Sequence, residues 1–163
     1  MPASTCNLAE LDMIRLDSNK YSGALPSCLF TMSNLTTLSV SSNSFHGNLP
    51  EYTYMPKVVN LLLENNQLSG TIPRSFFMNM RSLEYIVFSS NPFNSSTVPD
   101  LSDLENIIYF EMSNCSLIGP LPEMYNKKNL EQFSISNNQL SSTIPASLSY
   151  CSRLTVLSIY KNR

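Results

Sequence analysis

The chain has 163 residues, of which 42% are hydrophobic and only 13% charged, about half the usual charged share, and it is rich in Asn and Ser. That composition builds one core and leaves solubility to neutral polar groups, as on an extracellular surface. A net charge of −2 with no run of like charges gives no electrostatic basis for binding nucleic acid or an anionic membrane.

No apolar run reaches the roughly 18–20 residues that span a bilayer, and Met1-Pro2-Ala3-Ser4 has neither the basic nor the apolar region of a secretion signal. Neither a signal peptide nor an anchor is expected within these residues, and no membrane contact by this segment.

From Leu11 onward the chain repeats one pattern. Its phase marks are Asn19, Asn43, Asn66, Asn91, Cys115, Asn138 and Asn162, spaced 24, 23, 25, 24, 23 and 24 residues apart. Eight, five and three residues before them stand Leu11, Ile14 and Leu16; Leu35, Leu38 and Val40; Val58, Leu61 and Leu63; Leu83, Ile86 and Phe88; Ile107, Phe110 and Met112; Leu130, Phe133 and Ile135; and Leu154, Leu157 and Ile159. All 21 are apolar, a regularity that only stacked structural repeats explain. We number the units coil one to coil seven.

The punctuation keeps the same phase. Gly23, Gly47, Gly70 and Gly119 each lie four residues after a mark, and Pro2, Pro26, Pro50, Pro73, Pro99, Pro122 and Pro145 close each unit. Glycine permits a turn that a Cβ hinders, and proline fixes φ where no donor is needed. Strand alternation sends the residues five and three before each mark into the coil and those six, four and two before it outward. Leu63→Ala is expected to cost about 2–5 kcal/mol as a core truncation, and Asn66→Ala roughly 1–3 kcal/mol through unpaired buried groups. Three departures stand out: Cys115 at an asparagine position, Ser142 at a glycine position, and one extra residue between Asn91 and Pro99, with Pro92 directly after the mark. Coil four is therefore expected to be distorted on its outer side.

The template of Val58 to Pro73, L-x-x-L-x-L-x-x-N-x-L-x-G-x-I-P, resembles the plant-type extracellular leucine-rich repeat. NNQLSGTIP at 65–73 and SSNPFNSSTVPDLSDL at 89–104 are similar to the ectodomains of plant receptor-like kinases and receptor-like proteins. The resemblance implies an α/β-type solenoid, a right-handed leucine-rich-repeat superhelix with a short parallel β-strand per repeat on the concave face and a 3-10 or irregular convex side. It implies a single array of about seven repeats over 1–163, expected to be an uncapped piece of a longer ectodomain, since neither end carries a capping segment.

Catalytic chemistry finds no foothold. His46, the single histidine, reads as a solvated turn residue, and no metalloprotease, nucleophile-elbow, paired C-x-x-C or phosphate-loop motif occurs. No enzymatic activity, cofactor or metal is expected, and a kinase domain, if there is one, lies outside this chain. Cys115 and Cys151 read as small buried side chains. Cys6 and Cys28 lie on the same flank of neighbouring coils, two residues out of phase, so that two thiols remain the leading reading and a disulfide the alternative.

Three N-x-[ST] sequons begin at Asn34, Asn94 and Asn114. Asn34 and Asn94 fall off the concave strands and are the better glycosylation candidates; Asn114, beside a buried mark, is expected to be the least accessible.

The outward positions predict one patch unlike the short polar residues around it: Leu62, Tyr85, Val87 and Tyr109, edged by Asn60, Glu64 and Glu111. An apolar and aromatic centre with a polar rim suits peptide or protein contact, although Tyr and Val are also ordinary strand residues. These seven are the candidate ligand-binding residues. The resemblance implies recognition outside the cell, at the plasma membrane or in the apoplast, of a peptide or protein ligand, a co-receptor ectodomain or a glycan. A secreted inhibitor similar to polygalacturonase-inhibiting proteins and a truncated product without ligand remain as alternatives.

Overall fold

The computed structural model describes residues 1–141 and 143–163; Ser142, expected to replace a turn glycine, lies outside the described residues. In chain order the strands are β1 (Met13–Arg15), β2 (Ser22–Ala24), β3 (Thr37–Ser39), β4 (Ser44–Asn48), β5 (Asn60–Leu62), β6 (Gln67–Ser69), β7 (Tyr85–Val87), β8 (Tyr109–Glu111), β9 (Ile118–Gly119), β10 (Gln132–Ser134), β11 (Gln139–Leu140) and β12 (Val156–Ser158). Seven of them form one parallel sheet in the order β1-β3-β5-β7-β8-β10-β12, one strand per coil. The pairings Ile14↔Leu38↔Leu61↔Ile86↔Phe110↔Phe133↔Leu157 keep the residue five before each mark in a single row. The fold is thus the parallel-strand solenoid of the sequence reading. Its outer side holds 3-10 helices at Ala3–Asn7, Ser27–Thr31 and Ala146–Tyr150, and no α-helix occurs among the described residues.

One coil cannot bury its own apolar row, so stacking makes the core continuous. The 15 inward residues of coils two to six are all buried, whereas in coil seven Leu157 is 42% exposed because no described coil covers it. Phe88 joins the inner rows to the outer side: its ring centroid lies 5.9 Å from Phe76, 5.8 Å from Phe77 and 6.2 Å from Phe93.

The marker asparagines are a ladder of amides between coils. In coil three Asn66 Nδ2 donates to the carbonyls of Val40, Leu63 and Glu64 at 3.0, 3.1 and 3.2 Å, while Oδ1 accepts from the Phe45 N–H at 3.0 Å. Asn43, Asn91, Asn138 and Asn162 repeat the pattern, each accepting from the backbone two residues past the preceding mark. The ladder answers a requirement of the solenoid: buried backbone groups at the turns have no strand partner and must be satisfied otherwise.

Cys115 breaks the ladder. Its Sγ still donates to the Phe88 carbonyl at 3.3 Å, replacing the amide N–H, but it brings no oxygen for the Phe93 N–H, which turns instead to Asn91 O at 2.9 Å. The outer ladder is interrupted at coil four, the coil that holds Phe93. Strands β2, β4 and β6 pair side by side, β9 and β11 pair separately, and coil four contributes only the isolated bridge Thr97↔Ile118. The cysteine and the irregular 91–99 segment, which look unrelated in sequence, meet at one backbone donor.

Where the regular turn persists, glycine is required by both conformation and space. Gly70 has φ +75°, and a Cβ there would stand 2.5 Å from Asn48 Oδ1.

Two expectations are corrected. Cys6 and Cys28 form a disulfide, with Cα atoms 6.0 Å apart; each sits in a 3-10 turn on the outer side, and those turns pack together, which offsets the two-residue difference in phase. Asn114 is exposed, as is Asn94, because the residue before a mark takes a left-handed conformation (φ 56° at Asn114) that turns its side chain away from the coil. Asn34 is the half-buried one of the three, its amide donating to Ala9 O at 3.0 Å and accepting from Lys57 Nζ at 2.9 Å.

Candidate functional site

The concave sheet carries three rows of outward side chains. Parallel pairing aligns Asn60, Tyr85, Tyr109 and Gln132 in one row and Leu62, Val87, Glu111 and Ser134 in the next. Glu64, Ser89 and Ser113 follow two residues beyond, where the backbone continues the alternation, as the bond from Leu63 N to Val87 O reflects. All seven predicted site residues therefore lie on one face over coils three to five.

Within that face the structure brings five of them to one shallow cavity of about 520 Å³, lined by Glu64, Asn65, Tyr85, Val87, Ser89, Ser90, Tyr109 and Glu111. Leu62 sits behind it in the same row as Val87, and Asn60 stands apart, donating to Thr37 Oγ1 at 3.1 Å. The rings of Tyr85 and Tyr109 stack with centroids 6.5 Å apart and planes at 25°, and Tyr85 is 37% exposed. An aromatic pair set out of a sheet offers large apolar area with few rotamers to freeze.

Hydrogen bonds fix the far side of the cavity. Glu111 Oε2 accepts from the Tyr109 hydroxyl at 2.7 Å and Oε1 from Ser89 Oγ at 2.8 Å; Ser89 Oγ in turn accepts the Ser113 N–H at 2.9 Å. Gln132 Nε2 donates to the Tyr109 hydroxyl oxygen at 2.9 Å. The Tyr109 phenol is pushed up to about 12, first by burial, then by its bond to Glu111 and the charges of Glu111 and Glu64, with the Gln132 bond pulling the other way. It stays a neutral donor at any physiological pH. Glu64 is treated differently: its Oε2 is buried and has no hydrogen-bond partner.

Sequence reasoning missed Ser89 and Gln132 as the residues that hold Glu111 and Tyr109. Both occupy outward positions in the alternation, and their adjacency to a carboxylate and a phenol in the facing coils was the available signal. It also missed Lys127, which is 1% exposed on the outer side, where Nζ donates to Tyr125 O at 3.0 Å and burial lowers its pKa.

Elsewhere the chemistry is spare. Among the described residues no three His, Cys, Asp or Glu side chains gather as a metal site, and no helix is long and apolar enough to cross a membrane. Cys115 is buried, and burial pushes its thiol up to about 12; Cys151 is shifted upward for the same reason. Neither is a ready nucleophile. A second depression, of about 550 Å³, opens beside coil one between Met1, Leu11, Met13 and Phe45.

Comparison with known proteins agrees with the repeat. The Leucine Rich Repeat family matches residues 34–53, 57–79 and 129–151. Receptor-like protein 35 of Arabidopsis thaliana is 32% identical over 94% of this chain and 17% of its own length. Among solved structures, the LRR ectodomain of the Arabidopsis thaliana membrane receptor kinase GASSHO1/SCHENGEN3, in complex with CASPARIAN STRIP INTEGRITY FACTOR 2, superposes with TM-score 0.87 at 28% identity over 99% of this chain and 19% of that one. The plant peptide hormone receptor RGFR1, in complex with RGF2, superposes with TM-score 0.72 at 25% identity over 99% of this chain and 30% of its own. The chain spans only about a sixth of the length of the curated receptor-like relatives it matches. Seven stacked coils, the family's match to three of them and these relatives place the chain among the leucine-rich-repeat proteins, with the coil of plant receptor ectodomains.

Proposed function

We propose that this chain is the recognition surface of an extracellular plant receptor-like protein or receptor-like kinase, acting at the outer face of the plasma membrane or in the apoplast. In this reading residues 1–163 form a single array that is not catalytic. Its concave residues Asn60, Leu62, Glu64, Tyr85, Val87, Tyr109 and Glu111 contact a peptide or protein ligand, and a co-receptor ectodomain or a glycan would meet the remaining surface. The observation that carries the reading is the stacked Tyr85–Tyr109 pair standing out of the sheet above a cavity whose floor is rigid strand. The relatives support it, since one is a receptor-like protein and one of the superposed structures is a peptide hormone receptor. Exposed Asn94 and Asn114 are then the better glycan acceptors.

The test compares the immobilised wild-type chain with a Tyr85→Ala/Tyr109→Ala variant, each exposed to the same peptide fraction washed from plant apoplast, with retained peptides quantified by mass spectrometry. Peptides held by the wild type are expected to fall at least about tenfold on the variant, the loss typical of removing central aromatic anchors. A melting curve verifies that the variant is folded, as it should be with both changes on an outward face. Equal retention by both proteins would contradict the site.

A further inference from the structure

Charge on the concave face is one-sided. The segments that form this face in the five inner coils, residues 36–42, 59–65, 84–90, 108–114 and 131–137, contain no lysine, arginine or histidine, and their outward positions carry two carboxylates, Glu64 and Glu111. A net charge of −2 for the whole chain means the basic residues exist but lie elsewhere. Any group that docks at the centre meets a negative field with no cation in those segments to balance it.

Both carboxylates border the cavity, from the coils on either side of coil four, and they are not equivalent. Glu111 has a donor on each oxygen, from Ser89 and Tyr109. Glu64 has a buried Oε2 with no donor at all, a condition that costs free energy until a partner arrives. Beside it lie the Tyr85 ring and the apolar Val87, and both line the same cavity. The Gln132 and Tyr109 donors are already used on each other and on Glu111; the neighbouring hydroxyl left without a partner is that of Ser41, beside Glu64 in coil two, and it makes no hydrogen bond to the carboxylate.

We infer that this cavity is a subsite for an arginine side chain of the ligand, whose guanidinium lies against the Tyr85 ring and donates to Glu64 while Glu111 supplies a second, fixed negative charge. The inference rests on the concave face being the recognition surface and adds the chemistry that this surface selects. Guanidinium fits each feature at once: it is planar and stacks on an aromatic face, it presents several N–H donors in a rigid fork to a carboxylate, and it is weakly hydrated enough to enter a half-apolar cavity. A carboxylate or sulfate is excluded by the same field. An ammonium group satisfies the charge but neither the plane nor the fork.

The test is a titration of the ¹⁵N-labelled 163-residue chain, followed by amide chemical shifts, with three capped tripeptides, acetyl-Gly-Arg-Gly-amide and its citrulline and lysine counterparts. Citrulline keeps the shape of arginine and removes its charge. The arginine peptide is expected to shift the amides of residues 64–65, 85–90 and 109–113, to bind about tenfold more tightly than the citrulline peptide, and to bind more tightly than the lysine peptide. Glu64→Gln, which preserves side-chain size, should weaken the arginine peptide about tenfold, with its melting temperature recorded to show that the variant is folded. Equal binding of arginine and citrulline at these amides overturns the cationic subsite and leaves concave recognition standing. Equal binding of lysine overturns the guanidinium assignment. Shifts confined to other surfaces, or none with any of the three peptides, overturn the subsite and count against the concave reading as well.

Discussion

Replacing Phe88 with alanine is expected to lower the unfolding free energy by about 3–5 kcal/mol, the range for a buried aromatic whose site cannot collapse. The ring is fully buried and touches three other phenylalanines, Phe76 and Phe77 from the outer side and Phe93 from the irregular turn. Coil four lacks an outer strand pair, so these rings are what joins its two sides. A cavity there is flanked by backbone on the strand side and cannot be filled by a neighbouring rotamer without disturbing the next coil. The measurement is urea denaturation of the two proteins side by side. Val87→Ala is the internal control: its side chain is only half-buried and faces the concave side, and the change should remain within about 1 kcal/mol. Were the register displaced by one residue, the two costs would exchange places.

Asn66→Ala is the second large effect, at about 1–3 kcal/mol. The amide serves two coils at once, through Phe45 N–H and Val40 C=O in coil two and its own Leu63 and Glu64 carbonyls. Alanine removes both the donor and the acceptor, and the groups left behind are too deep for water to replace them fully. Cys115→Ala at the equivalent position should cost less, roughly 1 kcal/mol or below, since a thiol is a weak donor and Phe93 N–H has already found Asn91 O. Thermal melting of both variants checks the order. A melting temperature unchanged by Asn66→Ala, or a larger fall for Cys115→Ala, would contradict the ladder.

The solenoid was legible because every coil carries the same demand. Leu61, Ile86 and Phe110 could be placed in one row from spacing alone, and their outward neighbours Asn60, Tyr85 and Tyr109 followed from alternation. What spacing does not encode is contact between side chains of different coils. The disulfide between Cys6 and Cys28 depends on how two 3-10 turns lean together, and a two-residue phase difference conceals it. Asn114 was misjudged because its left-handed backbone, and not its nearness to Cys115, decides its exposure. Thr37, Ser39 and Ser41 are outward in the alternation yet buried, because larger neighbours lean across the sheet, Asn60 onto Thr37 and Asp17 onto Ser39. In the same way, composition identified the aromatic patch but not that Ser89 and Gln132 fix its far side or that Glu64 stands without a donor.

Core, ladder and recognition face all depend on one register, and amide hydrogen exchange read residue by residue measures it most directly. Slow exchange is predicted at Phe45, Leu68, Leu117 and Leu140, whose N–H groups are each held by the marker asparagine of the next coil, with protection recurring at the 23–25-residue spacing of the marks. In Asn66→Ala, protection should fall first at Phe45. Rapid exchange at these four amides, or protection without that period, would contradict the register and with it the placement of Tyr85, Tyr109 and Glu64 on the concave face.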